Sequence, residues 1–103
     1  NLYLGAAMIL AAGVEGFQQA LDPGDPHTDN MYNYTLPELD ALGIDLLPRT
    51  LQEAIDAFER DPLSEAVMGP LMYRTYVDFK RQEWEEYHTH ISDWEYQRYL
   101  KFF

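Results

Sequence analysis

The chain has 103 residues, enough for one domain with a modest hydrophobic core. Its 18 acidic side chains outnumber seven Lys and Arg, and the resulting formal net charge of -11 disfavours binding to nucleic acid or to anionic membrane surfaces. The absence of cysteine excludes disulfides and thiolate metal sites, and we expect a protein of the reducing cytoplasm.

The first predicted element is a helix over residues 2–21 that is apolar almost all round. Apart from Tyr3, no polar side chain occurs from Leu2 to Gly13, and such a helix needs cover on every side. Glu15 shortens the apolar run below the roughly 20 residues that a membrane-spanning helix needs. We therefore expect a buried helix in a soluble protein without a membrane partner, and interpret the chain as the last part of a longer protein.

The segment from Asp22 to Tyr34 is predicted to be a loop, because it is rich in Pro, Gly, Asp and Asn. Asp22, Asp25 and Asp29 are only loosely similar to a calcium-binding ladder, since the spacing and the glutamate of an EF-hand are missing. Tyr32 lies in this polar segment, where an exposed phenol is open to covalent modification. We keep Tyr32 as a candidate modification site.

Five further helices are predicted from start and stop signals that agree with the hydrophobic periodicity. Capping boxes, in which a hydroxyl and a carboxylate lie three residues apart, begin three of them, and Asp61-Pro62 begins a fourth. The boxes are Thr35 to Glu38, Thr50 to Glu53 and Ser92 to Glu95. Gly43 and Gly69 mark two helix ends. The predicted helices cover residues 36–42, 51–60, 62–68, 70–90 and 93–101.

No segment alternates apolar and polar residues over the length of a strand, so the predicted fold class is all-α. Each of the two longest helices carries an apolar stripe. In the first helix the stripe is Tyr3, Ala7, Leu10, Val14, Phe17 and Leu21. In the long helix it is Tyr73, Val77, Trp84, Tyr87 and Ile91, interrupted only by Lys80. We expect both stripes to pack against other elements.

Two polar clusters near the end of the long helix are interpreted as surface features. His88 and His90 are two residues apart, so they do not face the same side of a helix and make a poor metal pair. Glu83, Glu85 and Glu86 follow Lys80 and Arg81 at spacings that allow ion pairs along the surface. From residue chemistry alone we assign no catalytic, cofactor-binding or metal-binding residue.

The order of these features resembles the C-terminal end of the glutamine synthetase family, over essentially the whole chain. The segments that carry the resemblance are Asn1 to Leu4, Ala11 to Gly16, Asp22 to Gly24, Asn30 to Tyr32, Leu47 to Ala54, Lys80 to Tyr87 and Ser92 to Glu95. The segments around Met31 to Tyr34, Trp94 and Tyr99 to Phe103 are most similar to the type III, or T-form, bacterial branch. Leu2 departs from the family, which usually has proline there.

The resemblance implies an ATP-dependent glutamate–ammonia ligase that uses magnesium or manganese and forms glutamine through γ-glutamyl phosphate. Residues 1–103 would then be the helical C-terminal portion of an α/β catalytic domain, with the catalytic sheet and the N-terminal domain outside this chain. It implies no catalytic, cofactor-binding or metal residue here. The chain would support the rest of the catalytic domain and a ring-shaped homo-oligomer, and would be inactive alone.

The resemblance also bears on Tyr32. In some bacterial members of the family the tyrosine of a motif similar to Asn30-Met31-Tyr32 is adenylylated, which reduces activity. The residues that follow, Asn33-Tyr34-Thr35, depart from that motif.

Two alternatives remain open at this point. One is a ligase that makes γ-glutamylmethylamide or another γ-glutamyl amide, because nothing in these residues selects the amine. The other is a stand-alone helical interaction module whose apolar first helix docks a partner.

Overall fold

The computed structural model describes residues 1–102, which form helices and connecting segments without a β-strand, so the all-α prediction is confirmed for this part of the chain. The α-helices are α1 (Leu2–Gln18), α2 (Leu36–Ala41), α3 (Leu51–Arg60), α4 (Pro62–Met68), α5 (Pro70–His88) and α6 (Asp93–Tyr99). Short 3-10 turns cover Met31–Asn33 and Leu100–Phe102. The chain divides after Pro48 into two compact units.

Helix α1 ends at Gln18, three residues before the predicted end at Leu21. The amide of Ala20 donates to the carbonyl of Phe17 at 3.2 Å, and that of Leu21 donates to Gly16 at 3.0 Å. These two bonds form a Schellman motif, with Ala20 in the left-handed conformation at φ 50°. Glycine normally occupies this position, so the sequence carried no stop signal here.

The described residues do not cover α1, because none of its side chains is buried among them, and its burial against the rest of a longer protein stays a prediction. Phe17 is 88% exposed, and Leu2 and Leu10 of the same helix are also largely exposed. The predicted packing of its apolar stripe is therefore absent from residues 1–102. An exposed apolar surface of this kind is a site for association with other protein surfaces.

Helix α2 ends one residue before the predicted end, with Leu42 as its C-cap. The predicted stop signal is confirmed, because Gly43 has φ 67° and its amide donates to the carbonyl of Asp40 at 3.0 Å. The amide of Ile44 then donates to Leu39 at 2.9 Å, which completes a second Schellman motif. This turn carries the chain back over Leu39, the buried apolar residue of the first unit.

The core of the second unit lies where α3 and α4 pack against α5. Ile55 of α3 is 4% exposed, and Val77 of α5 and Ser64 of α4 are also buried. The ring of Phe58 stacks on Tyr73, with centroids 5.7 Å apart, and lies 5.6 Å from the ring of Tyr76. Aromatic pairs at these distances add to the hydrophobic stabilisation of the contact.

Helix α5 is two residues shorter than predicted and ends at His88. The hydroxyl of Thr89 donates to the carbonyl of Glu85 at 2.6 Å and so satisfies a carbonyl of the last turn. Only the first part of the predicted stripe packs as expected. Tyr73 and Trp84 are partly buried, whereas Tyr87 and Ile91 are exposed.

Two of the three predicted capping boxes are complete, at Thr35 to Glu38 and at Ser92 to Glu95. In the third, the hydroxyl of Thr50 accepts from the amide of Glu53 as predicted. The carboxylate of Glu53, however, accepts from the amide of Arg49 at 2.7 Å, one residue before the expected donor. Helix α6 ends at Tyr99 and continues as a 3-10 turn, so the predicted α-helix to residue 101 is too long.

Acidification is expected to weaken the starts of α2 and α6. The side chain and then the backbone of Thr35 hydrogen-bond the carboxylate of Glu38 and lower its pKa, and the backbone and side chain of Ser92 do the same for the pKa of Glu95. A carboxyl with a lowered pKa in the folded state stabilises the fold fully above its ordinary pKa of 4.5. That contribution is lost as the pH falls through the lower, folded-state pKa.

Circular dichroism at 222 nm should therefore fall in the parent chain once the pH drops below about 4.5. A Glu38→Gln/Glu95→Gln variant should have less helix near neutral pH and a smaller further loss on acidification. Glu65→Gln is the control, because Glu65 lies in the first turn of α4 but makes no side-chain hydrogen bond among the described residues. Identical pH profiles for the parent and the double variant would contradict the prediction.

Candidate modification site

The turn that carries Tyr32 is a short 3-10 helix with a defined start. The side chain of Asn30 accepts from the backbone N–H of Tyr32 at 3.1 Å, as an N-cap does. The amide of Asn33 donates to the carbonyl of Asn30 at 3.1 Å, and that of Tyr34 donates to Met31 at 3.2 Å. The predicted loop over residues 22–34 therefore contains a 3-10 turn at residues 31–33, which the sequence analysis did not predict.

Tyr32 is the most exposed large side chain of this turn, with 97% of its surface open to solvent. Its hydroxyl has no hydrogen-bond partner among residues 1–102. Met31 and Tyr34, on either side of it, are partly buried. The turn thus places two side chains toward the unit and leaves the Tyr32 phenol accessible.

The inner side of the turn faces Leu39, the buried apolar residue of the first unit. Met31, Tyr34, Leu39 and Ile44 line a shallow cavity of about 290 Å³ together with Tyr32. Leu39 is buried, and the Schellman turn after α2 brings Ile44 back toward it. Leu39 of α2 therefore lies against the inner side of the turn.

Tyr34, the residue after the turn, is held by a contact with Asp29 before the turn and by the start of α2 directly after it. The hydroxyl of Tyr34 donates to the carboxylate of Asp29 at 3.1 Å. The next residue, Thr35, begins α2 through its capping box with Glu38. The hydrogen bond to Asp29, the negative charge of Asp29, partial burial and the charge of Glu38 all raise the pKa of Tyr34, in that order.

Two of the three carboxylates of the preceding segment accept local hydrogen bonds. Asp22 accepts from the amide of Gly24 at 3.0 Å, and Asp29 accepts from Tyr34. Among residues 1–102, no three His, Asp or Glu side chains lie close enough together to hold a metal ion. The loop therefore shows the geometry of turns and contains no assembled ladder of ligands.

The charged side chains in the second half of α5 make one ion pair within the helix and another with α3. Lys80 pairs with Glu83 along the helix surface, as predicted, and the hydrogen bond to Glu83 raises the pKa of Lys80. Arg81 departs from the prediction, because it pairs with Glu59 of α3 and lies 4.0 Å from the carboxylate of Asp56. This ion pair joins α3 to α5.

His88 is the last residue of α5, and His90 lies two residues further on, beyond the end of the helix. The ring of His88 stacks on Trp84, with centroids 5.2 Å apart, and its Nδ1 lies 3.0 Å from the carbonyl of Trp84. The amide of His90 donates to the carbonyl of Tyr87 after the helix has ended. His88 therefore closes the end of α5 and packs on an aromatic ring.

Comparison with known proteins identifies the family. The family model described as the catalytic domain of glutamine synthetase matches residues 1–99. The chain belongs to the glutamine synthetase family.

None of the helices among residues 1–102 is long and apolar enough to cross a membrane.

Relatives in the glutamine synthetase family match this chain along almost all of its length. The glutamate–methylamine ligase of Methyloversatilis universalis is 45% identical over 103 residues, which is 100% of this chain and 23% of that protein. The glutamine synthetase of Halobacterium salinarum is 38% identical with the same coverage. That of Thermotoga maritima is 34% identical over 97% of this chain and 23% of its own length. The chain thus spans about a quarter of the length of these relatives.

ATP and a divalent cation, which the resemblance to glutamine synthetases implies, do not fit the residues described here. A divalent cation of this class needs several oxygen ligands, and no group of three acidic or histidine side chains is assembled in residues 1–102. The sequence Gly13-Val14-Glu15-Gly16 lies inside α1, where it cannot form a phosphate-binding loop after a strand. No step of catalysis is assigned to these side chains.

Tyr32 could be singled out from the sequence, but the hydrogen bond between Tyr34 and Asp29 could not. These two residues are five positions apart on either side of the turn, a separation that no regular helix or hairpin rule brings together. An acidic residue before the Asn30 cap and a phenol after the turn were the available signals. Their contact depends on the 3-10 conformation of residues 31–33.

Proposed function

We propose that this chain is the C-terminal helical portion, residues 1–103, of the catalytic domain of an ATP-dependent ligase that joins ammonia to the side-chain carboxylate of glutamate. The observation that carries the proposal is the match of the glutamine synthetase catalytic-domain family to residues 1–99. The relatives that the chain matches end to end are about four times as long, which is consistent with a part of a larger enzyme.

The role of this portion is structural, and the residues that bind ATP and magnesium or manganese lie in the rest of the catalytic domain. Exposed apolar side chains along α1 support this role, because Leu2, Leu10 and Phe17 have no cover among residues 1–102. The catalytic domain supplies that cover in the complete enzyme, which works in the cytoplasm as a ring-shaped homo-oligomer. The isolated chain is inactive.

An assay of the full-length protein tests the proposal. With glutamate, ATP and magnesium, we expect phosphate release that depends on ammonia, and glutamine as the product. The isolated 103-residue chain is the matched control and should release none. Absence of amine-dependent phosphate release from the full-length protein would contradict the ligase function.

Methylamine is the second candidate for the amine. The observation that favours it is the 45% identity to the glutamate–methylamine ligase, against 38% to the glutamine synthetase of Halobacterium salinarum. Parallel assays with ammonia and methylamine at equal concentration distinguish the two by kcat/KM. A higher value for methylamine would replace glutamine with γ-glutamylmethylamide as the main product.

A stand-alone helical interaction module is the alternative from another class. Such a module should unfold in one cooperative transition as a defined monomer, because small single domains do so. A portion of a larger domain should instead associate through its uncovered apolar helix. A cooperative, concentration-independent melt of the isolated chain would favour the module.

Covalent modification of Tyr32 is a separate part of the proposal. Its support is the 97% exposure of the phenol and the resemblance of Asn30-Met31-Tyr32 to the adenylylated motif of some relatives. Intact-mass and peptide mass spectrometry of the native full-length enzyme, from cells grown with excess nitrogen, should detect a nucleotidyl group on Tyr32. An unmodified Tyr32 under that condition would overturn it.

A further inference from the structure

The loop of the first unit carries two phenols in different surroundings, although they are only two residues apart. The hydroxyl of Tyr32 has no partner among residues 1–102, and its side chain is almost fully exposed. The side chain of Tyr34 is partly buried, and its hydroxyl donates to the carboxylate of Asp29 at 3.1 Å. A reagent that reaches this loop therefore meets one free hydroxyl and one that is already engaged.

We propose that Tyr32, and not Tyr34, is the phenol of this loop that reacts with an electrophilic group donor, and that Asp29 enforces this selection by holding the Tyr34 hydroxyl. The inference rests on the proposed modification of Tyr32. It adds the residue that determines which tyrosine is modified.

The selection follows from what a phenol must do to act as a nucleophile. Its oxygen has to approach the electrophilic atom and give up its proton, and the phenolate form reacts fastest. In Tyr34 the hydrogen bond to Asp29 fixes the orientation of a partly buried phenol, which restricts the approach of its oxygen to an electrophile. The negative charges of Asp29 and Glu38 also oppose formation of a second anion, and the pKa of Tyr34 is raised accordingly.

The backbone of the turn keeps the two phenols in these separate roles. The amide of Asn33 donates to Asn30, and the amide of Tyr34 donates to Met31. The Thr35 to Glu38 capping box then starts α2 directly after Tyr34. With the chain held on both sides of the turn, Tyr34 stays within reach of Asp29 while Tyr32 stays in solvent.

The other loop carboxylates do not provide this contact. Asp22 accepts from the amide of Gly24 at 3.0 Å, which is a local turn. Asp25 makes no hydrogen bond to a tyrosine among residues 1–102. Asp25 therefore supplies a matched control, because its removal changes the charge of the loop by the same amount as removal of Asp29.

Acetylation with N-acetylimidazole tests the selection without the natural modifying enzyme. The phenol oxygen attacks the acetyl carbon, the bond from that carbon to imidazole breaks, and imidazole leaves with the phenol proton. The reagent is added to the full-length protein that carries this chain, and peptide mass spectrometry follows acetyl groups on Tyr32 and Tyr34 with time. We expect Tyr32 to react at least about tenfold faster, the size of effect that a hydrogen bond to a charged group produces.

Three variants separate the roles of the residues. Asp29→Ala should raise the rate at Tyr34 by about tenfold, whereas Asp25→Ala should leave it unchanged. Tyr32→Phe should leave Tyr34 slow, because Tyr34 is withheld by Asp29 and is not outcompeted by its neighbour. Asp29 is exposed and lies outside every helix, so its replacement leaves the α-helices intact.

The outcomes distinguish this inference from the proposed modification. Equal rates at the two tyrosines of the parent, or an unchanged rate at Tyr34 in Asp29→Ala, would overturn the selection alone. No acetylation at either tyrosine would mean that the loop is covered in the assembled protein, which would overturn both. Selective acetylation of a protein whose native Tyr32 is never modified would leave the selection standing and remove the natural modification.

Discussion

The isolated 103-residue chain is expected to self-associate through α1, and a Leu10→Glu/Phe17→Glu variant is expected to be largely monomeric. Both side chains lie on the exposed apolar surface of the helix, where Phe17 is 88% exposed. Removing a large apolar side chain from water is worth about 1.5–3 kcal/mol, so several of them drive association strongly. Size-exclusion chromatography with light scattering at several protein concentrations measures the mass directly.

The control for this experiment adds the same charge without removing an apolar side chain. Gln18→Glu/Gln19→Glu places two carboxylates at the exposed end of α1 and should leave the association intact. In the full-length enzyme the Leu10→Glu/Phe17→Glu change should have the opposite consequence, because burying charges without partners is unfavourable. A monomeric parent chain, or a full-length variant that folds and assembles normally, would contradict the proposed role of α1.

Replacing Ile55 with alanine is expected to lower the free energy of unfolding of the second unit by about 2–5 kcal/mol. The side chain is 4% exposed and lies where α3 packs on α5, near Val77 and the aromatic contacts of Phe58. The loss combines the transfer of the removed methylene and methyl groups with the cavity that remains. Because the free energy of unfolding of a small domain is only about 5–15 kcal/mol, a loss of this size should move the urea midpoint far below that of the parent.

Urea unfolding followed by circular dichroism measures this loss. The Leu10→Glu/Phe17→Glu variant is the background, so that self-association does not contribute. Leu71→Ala is the matched control, because Leu71 is 81% exposed on α5 and exposed substitutions usually change stability by no more than about 0.5 kcal/mol. Equal midpoints for Ile55→Ala and Leu71→Ala would show that the described core does not hold the unit together.

Local chemistry explains why most helix starts could be predicted. A capping hydroxyl and a carboxylate three residues later satisfy backbone groups in the same turn, so no distant residue is needed. The boxes at Thr35 and Ser92 are complete for this reason. In the box at Thr50, the carboxylate of Glu53 accepts from the amide of Arg49 and not from that of Thr50. This shift of the donor by one residue depends on the path of the preceding chain.

Helix ends were predicted well where the sequence carried a local signal, either a glycine with positive φ or, after α3, the Asp61-Pro62 start of the next helix. Gly43 and Gly69 mark the ends of α2 and α4, with φ 67° and 74°. The end of α1 uses the same hydrogen bonds but with Ala20, which carries no such signal. A left-handed alanine is unfavourable by about 1–2 kcal/mol, so its hydrogen bonds and surroundings override the local preference.

The candidate site likewise contains one feature that the sequence predicted and one that it did not. Tyr32 was recognised from its polar, proline-bounded segment and from the motif that it shares with relatives. The hydrogen bond between Tyr34 and Asp29 could not be predicted, because it depends on a 3-10 turn whose Asn30 cap does not by itself determine where the Tyr34 side chain lies. The same holds for Arg81, whose partner Glu59 is 22 residues away in α3.

The sequence by itself determined the all-α class of this chain, most of its helix starts and its family, because each depends on residues within one turn or on the order of motifs along the chain. Only the tertiary structure decided that α1 is uncovered among the described residues, that Arg81 joins α3 to α5, and that Tyr32 is free where Tyr34 is held. These facts depend on distances between residues that are remote in sequence or separated by an irregular turn. Periodicity and capping rules describe a single element, so they carry no information about such distances.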